Sequence, residues 1–198
     1  MLKTMRIKFK SVLPIALILL SPTIFAKDIA IIDAGSSGSR IYFYSYSNIK
    51  TGNNLIPVLT QIKSKDVTPG LSSFIGNPDK AQKSIEDVID YQNLTQDEKN
   101  ADLYLMATAG MRLVNKKDQD EIYSAIKQYL NNDTQMHVRQ VGTISGKWEG
   151  VYDWISLNYL KNSFTSKQEP NQTYGVLDMG GASTQIAYAS NFNKENTI

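Results

Sequence analysis

Two segments of the sequence repeat one arrangement of an aspartate and a turn of small residues, 145 positions apart. In each segment an apolar run ends at an Asp, which is Asp33 in the first and Asp178 in the second. Gly35 and Gly180 then open equivalent turns of small residues, and a second apolar run follows. Ordinary hairpins also favour Gly and Asp. The identical placement of the Asp nevertheless favours a shared chemical role.

A tight turn of small residues directs several backbone N–H groups toward one point, and such a nest binds phosphate oxygens. An aspartate beside a phosphate would repel it unless a divalent cation, or a water on that cation, lies between them. Two such hairpins that face each other would hold a polyphosphate and its cation from both sides. This duplicated arrangement resembles that of the actin-like, RNase H-like ATPase superfamily.

The composition excludes several other chemistries. The 198-residue sequence contains no Cys, which removes a Cys nucleophile, a Cys/His zinc site and any disulfide. Its single His, His137, lies in an alternating run typical of a strand, which favours a structural role over that of a catalytic base. No basic run of the kind that binds nucleic acid is present, so no nucleic-acid partner is expected.

Residues 1–26 have the features of a secretory signal peptide. Four positive residues between positions 3 and 10 precede an apolar stretch at 11–25, and Ala26 follows at the expected cleavage point. The stretch is shorter than the about 20 residues that span a membrane, so no stable membrane anchor is expected. Cleavage would change the formal net charge from +2 to −2. The mature protein is therefore predicted to be exported, to a bacterial periplasm or to the medium.

Hydrophobic periodicity predicts the elements that position the two turns. Strands are predicted at residues 29–32, 41–46, 55–62, 102–107 and 136–141, and helices from residue 78 and at 118–130 and 147–160. Asn77 is a predicted helix cap before Pro78, residues 95–98 fit a capping box, and residues 108–110 are predicted to form a turn.

The order of these elements predicts an α/β fold. Residues 27–172 are expected to form an RNase H-like (actin-like ATPase) lobe, with a mixed sheet and flanking helices. Residues 173–198 are expected to begin a second, truncated lobe with its first hairpin. That hairpin would have unpaired edges and one uncovered face.

Four segments together resemble the first four signature regions of the nucleoside triphosphate diphosphohydrolases, or ecto-apyrases. The segments are 33–40 (DAGSSGSR), 107–112 (ATAGMR), 146–154 (GKWEGVYDW) with 158–160 (NYL), and 178–185 (DMGGASTQ). They follow the order of that family. The resemblance implies hydrolysis of nucleoside tri- or diphosphates by attack of water, with Mg²⁺ or Ca²⁺ as the cation.

The resemblance also implies roles for individual residues. The phosphate-binding positions of the family match Ser36, Ser37, Gly38, Arg40, Gly180, Gly181 and Ala182. Asp33 and Asp178 would hold the cation through water. The catalytic positions match the general base Glu149 and the residues that orient the attacking water, Thr108, Ser183 and Gln185. A carboxylate near the water, without a covalent nucleophile, suits phosphoanhydride hydrolysis.

Members of that family continue beyond the fourth region, with a fifth signature region, most of a second lobe and a nucleobase pocket. The resemblance therefore implies that a second lobe is missing here and that the activity of this chain is impaired. Two alternatives remain. One is an exopolyphosphatase-like phosphatase of the same fold, which shares the Asp-Gly-Ser loop and the Ala-Thr-Ala segment. The other is a non-catalytic remnant that binds a phosphate compound.

Overall fold

The computed structural model describes residues 27–51, 54–164 and 172–190, so the predicted signal peptide lies outside the described residues. The strands β1–β7 are Lys27–Ala34, Ser39–Thr51, Asn54–Val67, Asp102–Ala107, His137–Thr143, Val176–Met179 and Thr184–Ala187. The helices α1–α5 are Pro78–Ile89, Gln96–Lys99, Ala109–Arg112, Lys116–Asp133 and Gly146–Leu160. Two short 3₁₀ turns, Leu71–Phe74 and Tyr91–Asn93, lie between β3 and α2.

Strands β1–β5 form one mixed sheet, in the order β3-β2-β1-β4-β5. β1 pairs antiparallel with β2 and parallel with β4, so it has a neighbour on each side. β2 and β3 also pair antiparallel, whereas β4 and β5 pair parallel. Parallel pairs need long crossover connections, and the helices between β3 and β5 provide them. The predicted mixed sheet with flanking helices is confirmed.

One face of this sheet carries the hydrophobic core. Alternate residues of the central strands, such as Ala30, Ile32 and Leu105, are fully buried on that face, as the two-residue period of a strand requires. α1 and α4 cover them with residues at helical spacing. The buried helix residues of the core include Ile85, Val88, Ile122, Ile126 and Leu130. The core thus holds β1 and β4 rigidly, and their carboxyl ends lie side by side.

β6 and β7 form a separate two-stranded ribbon. Its inner face packs on α5, where a Cβ on Gly150 would contact Gln185 and Ala187 at 3.4 and 3.5 Å. Its outer face is open, with Leu177 60% and Ile186 72% exposed. The uncovered face that the sequence predicts for this hairpin is therefore present.

Two local predictions were wrong in detail, and the predicted helix start at Asn77 and Pro78 was confirmed in position only. Residues 109–112 form the short helix α3 rather than part of a turn. Asn77 occupies the cap position of α1 but its side chain makes no capping hydrogen bond, and its amide instead donates to the Ile75 carbonyl oxygen. β3 is longer than predicted because it pairs with β2 along the whole of that strand. The capping box of Thr95 and Glu98 is confirmed.

The division of the chain into lobes at about residue 172 stays a prediction. None of the helices within the described ranges is both long and apolar enough to cross a membrane.

Candidate functional site

The first turn, which follows Asp33, is enclosed by backbone from two other parts of the chain. A Cβ on Gly70 would lie 2.5 Å from the carbonyl oxygens of Gly35 and Ser36. A Cβ on Gly110 in α3 would lie 2.8 Å from the Ser36 Cα. Only glycine permits such close approach of backbone to backbone. These two glycines therefore allow neighbouring segments to hold the first turn in place.

The second turn lies directly against the first. It joins β6 to β7 and is closed by a hydrogen bond from the Gly180 N–H to the Ser183 carbonyl oxygen, at 2.9 Å. A Cβ on Gly181 would lie 2.7 Å from the Ser36 hydroxyl oxygen, well inside normal contact distance. The structure thus brings together the two turns that the sequence predicts to face each other.

Each aspartate of the repeat has a polar residue opposite it on the next strand. Asp33 is paired with Arg40 in the β1–β2 register, and Asp178 is paired with Gln185 in the β6–β7 register. Directly opposed residues of an antiparallel pair project from the same face of the sheet. Arg40 and Gln185 therefore lie on the same side of their hairpins as the two aspartates. Arg40 is exposed, whereas Gln185 is buried.

Four carboxyl groups interact electrostatically beside the two turns. Burial raises the pKa of Asp33, Arg40 opposes that rise, and the charges of Glu149 and Asp178 add to it. Burial also raises the pKa of Asp153 to about 6, with further contributions from Asp178, Glu149 and Asp33. The region therefore concentrates negative charge in a partly dehydrated space, which raises the free energy of the ionised state.

Glu149 is positioned by the start of α5. The Ser145 hydroxyl caps this helix by accepting a hydrogen bond from the Trp148 N–H, at 3.3 Å. Glu149 follows in the first helical turn, where the partial positive charge of the helix terminus favours a carboxylate. Its side chain is 14% exposed. Asp153 lies one turn further along the same helix and therefore on the same face.

Arg112 joins Glu149 to the second turn. Its Nη1 donates to Glu149 Oε2 at 2.7 Å and to the Ile144 carbonyl oxygen at 3.2 Å. Its Nη2 donates to Ser183 Oγ at 2.8 Å. Gln185 Nε2 also donates to Ser183 Oγ, at 2.7 Å. Glu149 and Ser183 are therefore linked through this guanidinium, and Gln185 is bonded directly to Ser183. These are three of the four predicted catalytic residues.

The other predicted residues border the same region. The Thr108 N–H donates to the Ala34 carbonyl oxygen at 3.1 Å, which places Thr108 at the joined ends of β1 and β4. A Cβ on Gly38 would lie 2.5 Å from the Val67 carbonyl oxygen, so the end of the first turn is pressed against β3. The predicted phosphate-binding residues that are exposed are Ser37, Arg40, Gly180, Gly181 and Ala182.

Sequence reasoning missed four residues of this site. Arg112 and Asp153 lie inside the second and third signature segments, but no role was inferred for either. Gly70 and Gly110 were missed because their importance depends on how closely they approach Ser36, which no local pattern encodes. A Gly directly after Pro69 was the only local signal for Gly70.

The donor set suits a divalent cation of the Mg²⁺ or Ca²⁺ type. Carboxylate oxygens are the ligands that such hard cations prefer. The elevated pKa of Asp33 and of Asp153 marks negative charge that a cation would neutralise. Among the described residues no group of three acidic or histidine side chains could ligate one metal ion directly.

Comparison with known proteins gives one consistent result. The model of the GDA1/CD39 (nucleoside phosphatase) family matches residues 26–198. A guanosine-diphosphatase of Schizosaccharomyces pombe is 35% identical over 169 residues, which are 83% of this chain and 30% of that protein. The nucleoside-triphosphatase ntp-1 of Caenorhabditis elegans is 36% identical over 84% of this chain. The Golgi apyrase of Saccharomyces cerevisiae is also 36% identical, over 80% of this chain. The chain spans 32% and 29% of those two proteins.

Solved structures agree on the fold. The nucleoside triphosphate hydrolases of Neospora caninum superpose with a TM-score of 0.59 at 19% identity, over 81% of this chain and 38% of that chain. An Aquifex aeolicus member of the Ppx/GppA family superposes with a TM-score of 0.55 at 20% identity, over 84% of this chain and 48% of that chain. At these identities the likeness concerns the fold alone, and it confirms the predicted actin-like ATPase class.

Proposed function

The chain belongs to the GDA1/CD39 (nucleoside phosphatase) family, and from this premise we propose that it hydrolyses nucleoside tri- or diphosphates at a terminal phosphoanhydride bond. The observation that carries the proposal is the contact between the two turns, where Gly181 approaches Ser36 so closely that no side chain fits between them. Two backbone nests that meet in this way can bind adjacent phosphates of one polyphosphate chain.

In this proposal the phosphates are bound mainly by backbone N–H groups. The first turn supplies the N–H groups of Ser36, Ser37 and Gly38, and Arg40 adds a guanidinium suited to phosphate. The second turn supplies those of residues 180–182. Asp33 and Asp178 hold the cation through water. When bound, Mg²⁺ or Ca²⁺ would neutralise phosphate charge that builds up as the bond breaks.

Glu149 acts as the general base. A water aligned with the bond to be cleaved loses a proton to the carboxylate as its oxygen bonds to phosphorus, and the bond from phosphorus to the bridging oxygen breaks. The electron pair of that bond leaves with the shortened nucleotide. Thr108, Ser183 and Gln185 orient the water, and two of these three already share a hydrogen bond in the structure.

The test is release of inorganic phosphate from ATP and ADP by the purified chain, with Mg²⁺, with Ca²⁺ and with EDTA. We expect cation-dependent release that is slow for the 198-residue chain, and faster for a form extended with the carboxyl-terminal part of a relative. Asp33→Asn and Asp178→Asn should each lower the rate and raise the cation concentration needed for half-maximal rate. No release by either form would contradict the proposal.

The second candidate is an exopolyphosphatase-like phosphatase, which the fold shared with a Ppx/GppA protein favours. The same assay with long-chain polyphosphate separates the two candidate functions, because an apyrase-type site prefers ATP and an exopolyphosphatase-like site prefers polyphosphate. A non-catalytic, phosphate-binding remnant would instead bind nucleotide in a titration and release no phosphate.

We also propose that the protein is exported after cleavage before Lys27. The charged and apolar pattern of residues 1–26 supports this. A Golgi apyrase is among the relatives, and the comparisons give no support to a bacterial periplasm. The intact mass of the exported protein tests the cleavage. The chain spans about a third of the length of the relatives that it matches.

A further inference from the structure

The hydrogen bonds of Ser183 determine which way its hydroxyl can point. A hydroxyl has two acceptor lone pairs and one O–H donor. Ser183 Oγ accepts from Arg112 Nη2 at 2.8 Å and from Gln185 Nε2 at 2.7 Å, so both acceptor positions are occupied. The O–H is therefore left to donate, in the direction away from these two partners. A hydroxyl that can only donate binds the oxygen of a water or phosphate and does not take its proton.

Glu149 is constrained in a similar way. Its Oε2 accepts from Arg112 Nη1 at 2.7 Å, whereas its Oε1 makes no hydrogen bond within the part of the chain that the structure describes. The ion pair is largely screened from solvent, since the two side chains are 23% and 14% exposed. A charge-assisted bond in such surroundings is stronger than an exposed one and restricts the carboxylate to one orientation.

Arg112 is itself held by backbone on two sides. Its guanidinium donates to the Ile144 carbonyl oxygen, and its backbone N–H donates to the Thr108 carbonyl oxygen at 3.2 Å. These anchors belong to the loop before α5 and to the joined ends of β1 and β4. The guanidinium is therefore anchored near the end of the sheet while it binds both Glu149 and the second turn.

We propose that Arg112 is a positioning residue of the hydrolysis. It holds Glu149 by Oε2, which leaves Oε1 as the proton acceptor. Together with Gln185 it occupies both acceptor positions of the Ser183 hydroxyl, which makes that hydroxyl a donor to the attacking water or the phosphate. The proposal rests on the proposed function, since it assigns the roles of two atoms in that reaction.

The arrangement is tested without turnover by NMR of arginine side chains. The sequence contains only four Arg residues, at positions 6, 40, 112 and 139, so selective labelling gives an assignable spectrum. We expect Glu149→Gln and Ser183→Ala each to shift the Arg112 guanidinium signals and to leave those of Arg139, which pairs with Asp102, unchanged. Arg112 signals that are unchanged in both variants would overturn the proposal.

The catalytic consequence is tested by kinetics, in the 198-residue chain or the extended form, whichever turns over. Arg112→Met should lower kcat about 10²-fold, the usual cost of a misplaced reacting group, with KM for ATP changed less than about threefold. Arg112→Lys should recover part of kcat, because one ammonium can hold Glu149 but cannot bridge to Ser183 as well. The control Arg139→Met removes an ion pair outside the site and should leave both constants unchanged.

The two proposals fail differently. Wild-type kcat in Arg112→Met, or a loss confined to KM, overturns the positioning role. Absence of phosphate release from wild type in both forms, with the NMR coupling present, overturns the hydrolase and with it the catalytic part of this inference.

Discussion

The two hairpins of the repeat share their turn chemistry but differ in what supports them. The first hairpin, β1–β2, lies inside a five-stranded sheet, and its β1 has neighbours on both sides. Its turn leads into the fully buried Ser39. The second hairpin, β6–β7, pairs with no other described strand and exposes Leu177 and Ile186 on its outer face.

The second hairpin depends instead on α5 and on single side chains. Asn158, which is fully buried, donates to the Tyr174 carbonyl oxygen and accepts from the Tyr174 N–H, both at 2.9 Å. Its side chain thus takes the place of a neighbouring strand for Tyr174, two residues before β6. Arg112 reaches Ser183 at the other end. One turn is therefore held by the core and the other by a helix and a few polar contacts.

The largest expected effect lies between the two hairpins, at Glu149. Glu149→Gln keeps the size of the side chain and its bond from Arg112 but cannot take a proton. We expect turnover to fall about 10²–10⁴-fold, the usual cost of removing a general base, while nucleotide affinity is retained. Phosphate release at saturating ATP and a binding titration measure the two quantities. Undiminished turnover would remove Glu149 as the base.

The two turns should respond differently to added methyl groups. Gly70→Ala would place Cβ against two carbonyl oxygens of the first turn, so we expect the free energy of unfolding to fall by about 1–3 kcal/mol or more. The backbone at Gly70 is extended (φ −66°, ψ 159°), so only the contact opposes Ala. Gly181→Ala meets one rotatable hydroxyl, that of Ser36, and should cost less.

Urea unfolding measures both costs, and the chain offers two controls. Gly142→Ala meets nothing within 4 Å and should be nearly neutral. Adding Ser36→Ala to Gly181→Ala removes the clashing oxygen, so the stability cost of the pair should be less than the sum of the single costs. Equal costs for Gly70→Ala and Gly181→Ala would contradict the difference in support between the two turns.

Loss of the Asn158 contacts should affect the second hairpin alone. Asn158→Ala leaves the Tyr174 N–H and carbonyl oxygen without their side-chain partner, and we expect faster amide exchange in β6 and β7 with unchanged protection of β1 and β2. The control Tyr159→Phe removes a contact of the same helix with the Pro57 carbonyl oxygen and should leave β6 and β7 as protected as in wild type. Equal loss of protection in both hairpins would show that they open as one unit.

The smallest expected effect is the pH dependence due to Asp153. Its folded-state pKa of about 6 lies above the ordinary value of 3.8, so between these pH values the unfolded chain releases the proton first. The contribution of Asp153 to stability is therefore lost as pH rises from about 4 to 6. Asp153→Asn should be more stable than wild type at pH 7, by about 1 kcal/mol after solvent screening, and equal at pH 4.

Urea midpoints at the two pH values, measured in EDTA, test this prediction. Asp66→Asn, at an exposed position of β3, is the control for the loss of a carboxylate. The elevated pKa would be contradicted if the difference in stability between Asp153→Asn and wild type were the same at both pH values.

Local patterns were enough for most of the fold. The alternation in β1, with Ala30 and Ile32 buried, and the helical spacing of Ile122, Ile126 and Leu130 both identify their elements, because burial on one face imposes a fixed period. The boundaries were less predictable. β3 extends past its apolar run because pairing with β2 satisfies its backbone whatever its side chains are.

By itself, the sequence determined the two aspartate turns, the family to which the chain belongs and the types of residue available for chemistry. It did so because turn geometry and strand period are encoded by neighbouring residues. Only the tertiary structure decided that Gly70, Gly110 and Gly181 all converge on Ser36 and that Arg112 bridges Glu149 to Ser183. Those contacts join residues 34 to 145 positions apart, and their distances depend on how the sheet, α3 and α5 pack.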